Sequence, residues 1–339
     1  MPELRKDPIV GRWVIISVER SRRPKNIART KQNSPEPGCL LCLDNSSSLL
    51  SEKGILSGLS QSAHDVQWQA CSLPDTNPAL RMENPPERKG KGVFDTIRGV
   101  GTHEIIVEDP ERCGNIAHLT EEQIGKVLAC FVDRVKKMEG DPRSKYVLIY
   151  KDYEPHSKKL CFSQLIAMPV APKRIREKLI GARNYFQLHE RCIFCDIIKQ
   201  ETREQKRIVA ENDQFIALVP FASRFPFEIL ILPKQHSHDI AVLGGNAQAS
   251  AAAIIKNILL KFEQGLGDPS YSMIFYFSPY IEKKAGHWKT IEEDYHVHIE
   301  IIPRLTNIAG FEWGAGFFIC PIAPEDAALY LRETEVCRG

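Results

Sequence analysis

No stretch of the chain approaches the roughly 18 consecutive apolar residues of a membrane-crossing helix, so no membrane span is expected. Net charge is nearly absent as well. A formal charge of +2 gives no bulk field to attract a polyanion, which argues against dedicated nucleic-acid binding. The first residues, MPELRKDPIVGRW, contain no apolar core of a secretory leader, and the expected location is cytoplasmic. Cysteine is not scarce, at ten residues, but four of the ten form two CxxC pairs, Cys39/Cys42 and Cys192/Cys195. Without a leader, that pattern suits metal ligation better than a disulfide framework. An apolar content of 43% and a charged content of 26% are ordinary for a globular protein, and 339 residues can bury one large core or two modest ones.

The densest chemistry lies in Tyr295–Pro303, YHVHIEIIP. His296, His298 and Glu300 alternate with Val297, Ile299 and Ile301, which is the period of a strand with one polar and one apolar face. Two imidazoles on one strand face stand roughly 6–7 Å apart, a spacing for a metal and a phosphate or for one anionic ligand. A strand edge with incidental histidines is the plainer alternative. Earlier in the chain, Arg20, Arg22 and Arg23 precede Pro24, a turn able to grip phosphate bidentately or simply to sit in solvent. Each CxxC offers two thiolates to a tetrahedral ion, with redox chemistry as the competitor.

Much of the chain reads as two similar rounds. Residues 101–108 form a strand with His103 near its start. Thr120 caps a helix whose apolar positions run from Ile124 to Val135, and strands follow at Tyr146–Tyr150 and Ser163–Pro169. In the second round the CxxC at Cys192 and Cys195 precedes strands near 212–220 and 228–233. His236 and His238 follow, then a helix over 247–262, a strand at 272–277 and the His296 strand. A period of roughly 140 residues is too long for a solenoid and indicates a duplicated α+β unit, its copies sharing one sheet or set side by side.

These motifs, in order DPIVGRWVIIS, the SRRP turn, CLLC, GTHEIIVEDPE, SQLIAMPVAPKR, CIFCDII, ENDQFIALVPFASRFPFEILILPKQH and HVHIEIIPRLTNIAGFEWGAGFFICPIAPEDA, make the chain resemble the galactose-1-phosphate uridylyltransferases. Those are two-copy members of the histidine-triad superfamily. The resemblance implies an α+β fold made of a duplicated histidine-triad-like unit. It has two mostly antiparallel sheet halves with helices packed on them, divided at residues 1–175 and 176–339. The activity implied is transfer of a nucleotidyl group between a nucleotide sugar such as UDP-glucose and a hexose 1-phosphate. A histidine attacks the α-phosphorus and holds the uridylyl group between two displacements. A homodimer with sites drawn from both subunits is implied too.

One departure is decisive. The family's nucleophile lies in a His-x-His-Ser-Gln stretch, and here Ser163 and Gln164 are preceded by Leu160, Cys161 and Phe162. Phenylalanine cannot attack phosphorus. His156 can swing in from the loop, His298 of the second copy can act instead, or the protein is a catalytically impaired binder of nucleotide sugars. Ser163 and Gln164 remain as supporting groups. For substrate, the resemblance implies Arg20, Arg23, Gln164 and Glu312, with Asp75 where the family has an asparagine. For zinc, it implies a first site of Cys39, Cys42 and His103, lacking its fourth ligand at Leu160. It implies a second site of Cys192, Cys195, His236 and His296, with His238 competing for the place of His236.

Overall fold

The computed structural model describes residues 3–16, 55–56, 70–75, 77–82, 87–109, 114–139, 141, 143–155, 161–279 and 289–336. Arg20, Arg23, Cys39, Cys42, His156 and Leu160 lie outside the described residues. No helix among the described residues is long and apolar enough to cross a membrane.

Two strands form the middle of the main sheet, β8 (Tyr146–Tyr153) and β13 (Tyr271–Tyr276), numbered among all strands in chain order. They pair antiparallel, with Tyr150 opposite Ile274. Outward from this pair the sheet builds the same way on both sides. Beside β8 lie β9 (Phe162–Met168), β7 (Thr102–Val107), β4 (Cys71–Pro74) and the two-residue β3 (Ile55–Leu56). Beside β13 lie β14 (His298–Pro303), β12 (Ile229–Pro233), β11 (Phe215–Leu218) and β10 (Ile208–Glu211). All ten strands pair antiparallel. The duplicated unit therefore shares one sheet.

The register makes residue-level counterparts readable. Tyr150 lies opposite Gln164 and Ile274 opposite Glu300. Gln164 then lies opposite Ile105, and Glu300 opposite Leu230. Gln164 and Glu300 are thus matched across the halves, and two residues earlier on each strand stand Phe162 and His298.

Helices α1 (Glu121–Glu139), α2 (Lys173–His189), α3 (Ile193–Glu204) and α4 (Gln248–Leu266) cover the two faces. Helix α1 starts where Thr120 Oγ1 accepts the Gln123 N–H at 3.1 Å, with Glu121 and Glu122 in its first turn. Its Ile124, Leu128 and Phe131 join Ile255, Ile258 and Phe262 of α4 over Ile149, Leu165, Phe275 and Ile299 of the sheet. The opposite face receives Ile175 and Leu179 of α2 and Phe194 of α3 against Leu218, Leu230 and Tyr276. Neither α2 nor α3 was expected from the sequence. Their apolar spacing is broken by charged residues, one of which, Lys178, is buried for a reason given below.

A separate three-stranded sheet joins β1 (Glu3–Lys6), β2 (Trp13–Ile16) and β15 (Phe318–Cys320). The turn between β1 and β2 is tied by Asp7, whose carboxylate accepts from the Ile9 and Val10 N–H groups at 2.8 and 3.1 Å. That turn sits directly on α2. A side chain at Gly181 would fall 1.6 Å from the Ile9 carbonyl oxygen, so only glycine allows the approach.

Beneath β9 lies a buried ionic cluster. Lys151 Nζ donates to Glu108 Oε2 at 2.7 Å, while Ser163 Oγ and Cys161 Sγ donate to the same carboxylate at 2.5 and 2.8 Å. Glu108 is fully buried. Lys151→Met strips the ammonium from a carboxylate that cannot reach water, and it should lower unfolding stability by about 3–5 kcal/mol in urea titration. Adding Glu108→Gln to it should recover part of the loss, because no unpaired charge then remains.

Candidate functional site

The first-copy face of β9 presents Phe162, Gln164 and Ile166, while Ser163, Leu165 and Ala167 turn inward. Ser163, expected beside the nucleophile position, instead faces the interior and braces Glu108. Cys161 faces inward as well. Gln164 is held by two partners. Tyr150 Oη donates to Gln164 Oε1 at 2.8 Å, and His103 Nε2 lies 3.0 Å from the same oxygen. The His103 tautomer follows from its other nitrogen: Nδ1 accepts the Ala79 N–H at 3.2 Å, so the proton sits on Nε2. Asp75 Oδ2, 3.5 Å away, favours the same tautomer. With its carbonyl doubly engaged, Gln164 has its NH2 group left to offer a ligand. Both ring nitrogens of His103, expected as a zinc ligand, are thereby committed to protein partners. Burial, then Asp152 and Asp75, push the Tyr150 phenol above its ordinary range and keep it a donor.

In the second copy, Cys192, Cys195, His236 and His296 converge, with one ligand atom from each lying within 4.8 Å of the others. Cys195 Sγ stands 3.4 Å from His236 Nδ1 and 3.6 Å from His296 Nδ1, and Cys192 Sγ stands 3.9 Å from His296 Nδ1. Zinc bonds of about 2.3 Å to sulfur and 2.0–2.1 Å to nitrogen give tetrahedral edges of roughly 3.3–3.8 Å, close to this set. The outer contacts fit as well. His236 Nε2 donates to Glu292 O and His296 Nε2 to Pro233 O, each at 2.9 Å, which leaves both Nδ1 lone pairs facing the sulfurs. Hydrogen bonding from Cys192 holds the Cys195 thiol down to about 3, and the proton stays on Cys192. His238 is not part of the group: its Nδ1 lies 3.0 Å from Ser278 Oγ. These four side chains can hold one metal ion.

His298, the counterpart of Phe162, is buried under α2. Its Nδ1 donates to the His296 carbonyl at 2.9 Å, an orientation that exposes Nε2 as a lone pair. That lone pair is capped, however. Lys178 Nζ stands 2.6 Å from His298 Nε2 and 2.6 Å from Glu300 Oε1, over the Tyr276 ring. Glu300 Oε2 also takes Arg224 Nη2 at 2.7 Å, and Arg224 pairs with Glu228. Burial, reinforced by Lys178, pushes His298 well below its ordinary range, so the ring is neutral and serves as an acceptor. As a catalytic candidate it is thus oriented but not free.

Burial and Arg224 push the Lys178 ammonium down to about 8 against the pull of Glu300. The folded chain loses this proton before the unfolded chain does, so unfolding stability should rise between about pH 8 and the ordinary 10.5. Urea midpoints measured across that window should lose this rise in Lys178→Met.

Glu312 lies in the short helix Gly310–Ala315, where its carboxylate accepts the Ala309 N–H at 3.1 Å. Trp313 and Phe311 beside it are exposed. Sequence reasoning did not single out Tyr150, Lys178 or Arg224. Only Tyr150 left a signal, as a polar-tipped residue on the outward side of an alternating strand.

The family model described as galactose-1-phosphate uridyl transferase, C-terminal domain, matches residues 179–327. An ADP-glucose phosphorylase of Arabidopsis thaliana is 28% identical, over 99% of this chain and 93% of its own. A galactose-1-phosphate uridylyltransferase of Thermotoga maritima is also 28% identical, over 99% of both chains. The crystal structure of an ADP-glucose phosphorylase from Arabidopsis thaliana with bound ADP-glucose superposes with a TM-score of 0.80 at 26% identity, covering 99% of this chain and 100% of that one. A uridylyltransferase structure gives 0.73 at 26% identity, with 98% of both chains covered.

Proposed function

We propose that the chain is a member of the galactose-1-phosphate uridylyltransferase family and that the Gln164 side of its first copy binds a nucleotide sugar and a hexose 1-phosphate for nucleotidyl transfer without a histidine intermediate. The observation that carries this reading is Gln164, its carbonyl held by Tyr150 and His103 so that its NH2 stands ready for a phosphoryl oxygen beside Phe162. Transfer then proceeds by direct displacement: a phosphate oxygen of the incoming hexose 1-phosphate bonds to the α-phosphorus as the outgoing hexose 1-phosphate leaves. Gln164 steadies the charge that develops.

In this reading Arg20 and Arg23 reach the phosphates. Glu312, beside the exposed Phe311 and Trp313, reaches hexose hydroxyls across a homodimer contact. Asp75 tunes His103 and stands near the nucleotide. Zinc occupies the Cys192, Cys195, His236 and His296 group, and the protein works in the cytoplasm. The first-copy zinc set does not carry over with the same force, because His103 is committed elsewhere and Leu160 offers no ligand.

The test is calorimetric titration with UDP-glucose and with ADP-glucose, followed by intact-mass analysis. At least one sugar nucleotide should bind with one site per chain. Gln164→Ala should weaken it about tenfold or more, the loss of one hydrogen bond to a charged group. No covalent nucleotidyl adduct should form. Labelled glucose 1-phosphate should exchange into UDP-glucose slowly and in proportion to both concentrations. Absence of binding by both nucleotides would overturn the proposal, and a stoichiometric uridylyl adduct would overturn its non-covalent step.

A further inference from the structure

A CxxC pair can serve a metal or exchange electrons, and the second pair of this chain is built for both. Cys192 is the N-cap of α3, with extended backbone, and Cys195 is the third residue of that helix. An N-cap side chain folds back over the first turn toward this third residue. The two sulfurs therefore meet: they share a hydrogen bond and lie within 4.8 Å of one another. Closing them to a bond of about 2 Å takes rotation of two side chains and a small contraction of one helical turn.

Access is one-sided. In the metal group Cys192 and His296 are buried, whereas Cys195 and His236 are partly exposed. Among the described residues Cys195 is also the one cysteine that is not buried, since Cys71, Cys130, Cys161, Cys192 and Cys320 all are. Of these six, a dissolved oxidant reaches Cys195 first, and the sulfur standing behind it is that of Cys192. A bound ion keeps both sulfurs as thiolates, the form that reacts.

We propose that Cys192 and Cys195 form a redox site at which a low-molecular-weight disulfide, such as oxidised glutathione, exchanges the bound ion for a Cys192–Cys195 disulfide. The exchange rests on the metal reading given above. The Cys195 thiolate attacks one sulfur of the incoming R–S–S–R, forming a mixed disulfide and expelling one RS⁻. The Cys192 thiolate then attacks Cys195 Sγ and expels the second RS⁻. Two electrons pass from the protein sulfurs to the oxidant, and no proton moves. The ion, left with two imidazoles, dissociates. His236 and His296 keep their bonds to the Glu292 and Pro233 carbonyls, so the histidines stay in place. The start of α3 is nevertheless untied from the segment after β12 and from the residues that lead into β14. A disulfide across so short a loop restrains the unfolded chain little and does not replace that tie.

The experiment uses the full chain loaded with one equivalent of zinc, checked by elemental analysis, and treated with oxidised glutathione at neutral pH. A chromogenic chelator reports free zinc, and the chelator alone sets the background. Oxidised glutathione should release close to one equivalent above that background, and reduced glutathione should leave the zinc in place. Peptides cut after Phe194 should stay joined through Cys192 and Cys195 until reduced. A dithiol should break this link and restore zinc uptake. The oxidised chain should melt where the metal-free chain does. Cys71→Ser, at a buried thiol outside the group, should release zinc as the parent does. Zinc that stays bound while other cysteines are oxidised overturns the proposal. So does a glutathione adduct that persists on Cys195 without closure, or release with no Cys192–Cys195 link. A chain that takes up no zinc overturns the metal reading and the exchange together, and shows itself at the loading step.

Discussion

Replacing Phe162 by His should convert a chain that forms no covalent adduct with UDP-glucose into one that carries a uridylyl group stoichiometrically. Position 162 stands two residues before Gln164 on β9 and turns its side chain to the same face. Its counterpart shows how this strand type holds an imidazole. His298 Nδ1 donates to the carbonyl two residues earlier, which sends Nε2 outward as a lone pair. Among the described residues no Lys178 counterpart caps position 162: the Lys151 ammonium lies on the inward side of β9, bound to Glu108. A neutral imidazole is a competent nucleophile near pH 7, and the Gln164 NH2 is already placed beside it. Exchange of labelled glucose 1-phosphate into UDP-glucose should rise on the order of 10²-fold, the low end of what a positioned catalytic histidine contributes. Its initial rates should also follow ping-pong kinetics, as a two-step displacement requires. Phe162→Ala opens the same space without a nucleophile and should give neither result. A variant that binds UDP-glucose but forms no adduct would refute the match between positions 162 and 298.

That match was half-visible before the structure. Strict alternation in HVHIEIIP identified that strand and its polar face, and the apolar run in SQLIAMP identified the other; side-chain direction in each then depends only on parity. Parity also placed Cys161 on the inward side. What it could not supply was which groups meet that face from elsewhere. The alternating face of Tyr295–Pro303 suggested a metal and a phosphate side by side, and the structure divides it differently. His296 turns to the two cysteines, while His298 and Glu300 are closed off by Lys178, more than a hundred positions away on α2. Helix α2 was itself hidden because burying Lys178 breaks its apolar stripe. A lysine at a core position reads as a surface residue until its carboxylate and imidazole partners are seen together. The state of His103 was equally out of reach, since it is decided by the Ala79 backbone N–H. Likewise, the residues alone could not choose between one shared sheet and two adjacent ones. The β8–β13 ladder makes that choice.

Removing metal from the Cys192, Cys195, His236 and His296 group should destabilise the chain by several kcal/mol. The four side chains come from separate elements: the start of α3, the segment after β12, and the residues leading into β14. One ion links all three. Without it, two sulfurs and two imidazole lone pairs face one another with few protons among them, and the Cys195 thiolate depends on the Cys192 proton. Structural zinc binds small peptides with roughly 10–16 kcal/mol, where it must also fold the chain. Here a large core holds the elements together, so the expected loss is smaller, about 3–5 kcal/mol, against a typical total of about 5–15. Chelation at neutral pH should therefore lower the thermal midpoint by about 4–7 °C. Cys195→Ser should reproduce the shift and make it insensitive to chelator. Cys71→Ser, at a buried thiol outside the group, should keep its chelator response. Elemental analysis of the gently purified chain should find one equivalent of zinc, and less than about half an equivalent would remove the premise. A midpoint unmoved by chelation in a zinc-loaded chain would show that the ion ties nothing together. Because His236 and His296 must stay unprotonated to bind metal, acid should release the ion, and the same drop in midpoint should then appear without chelator.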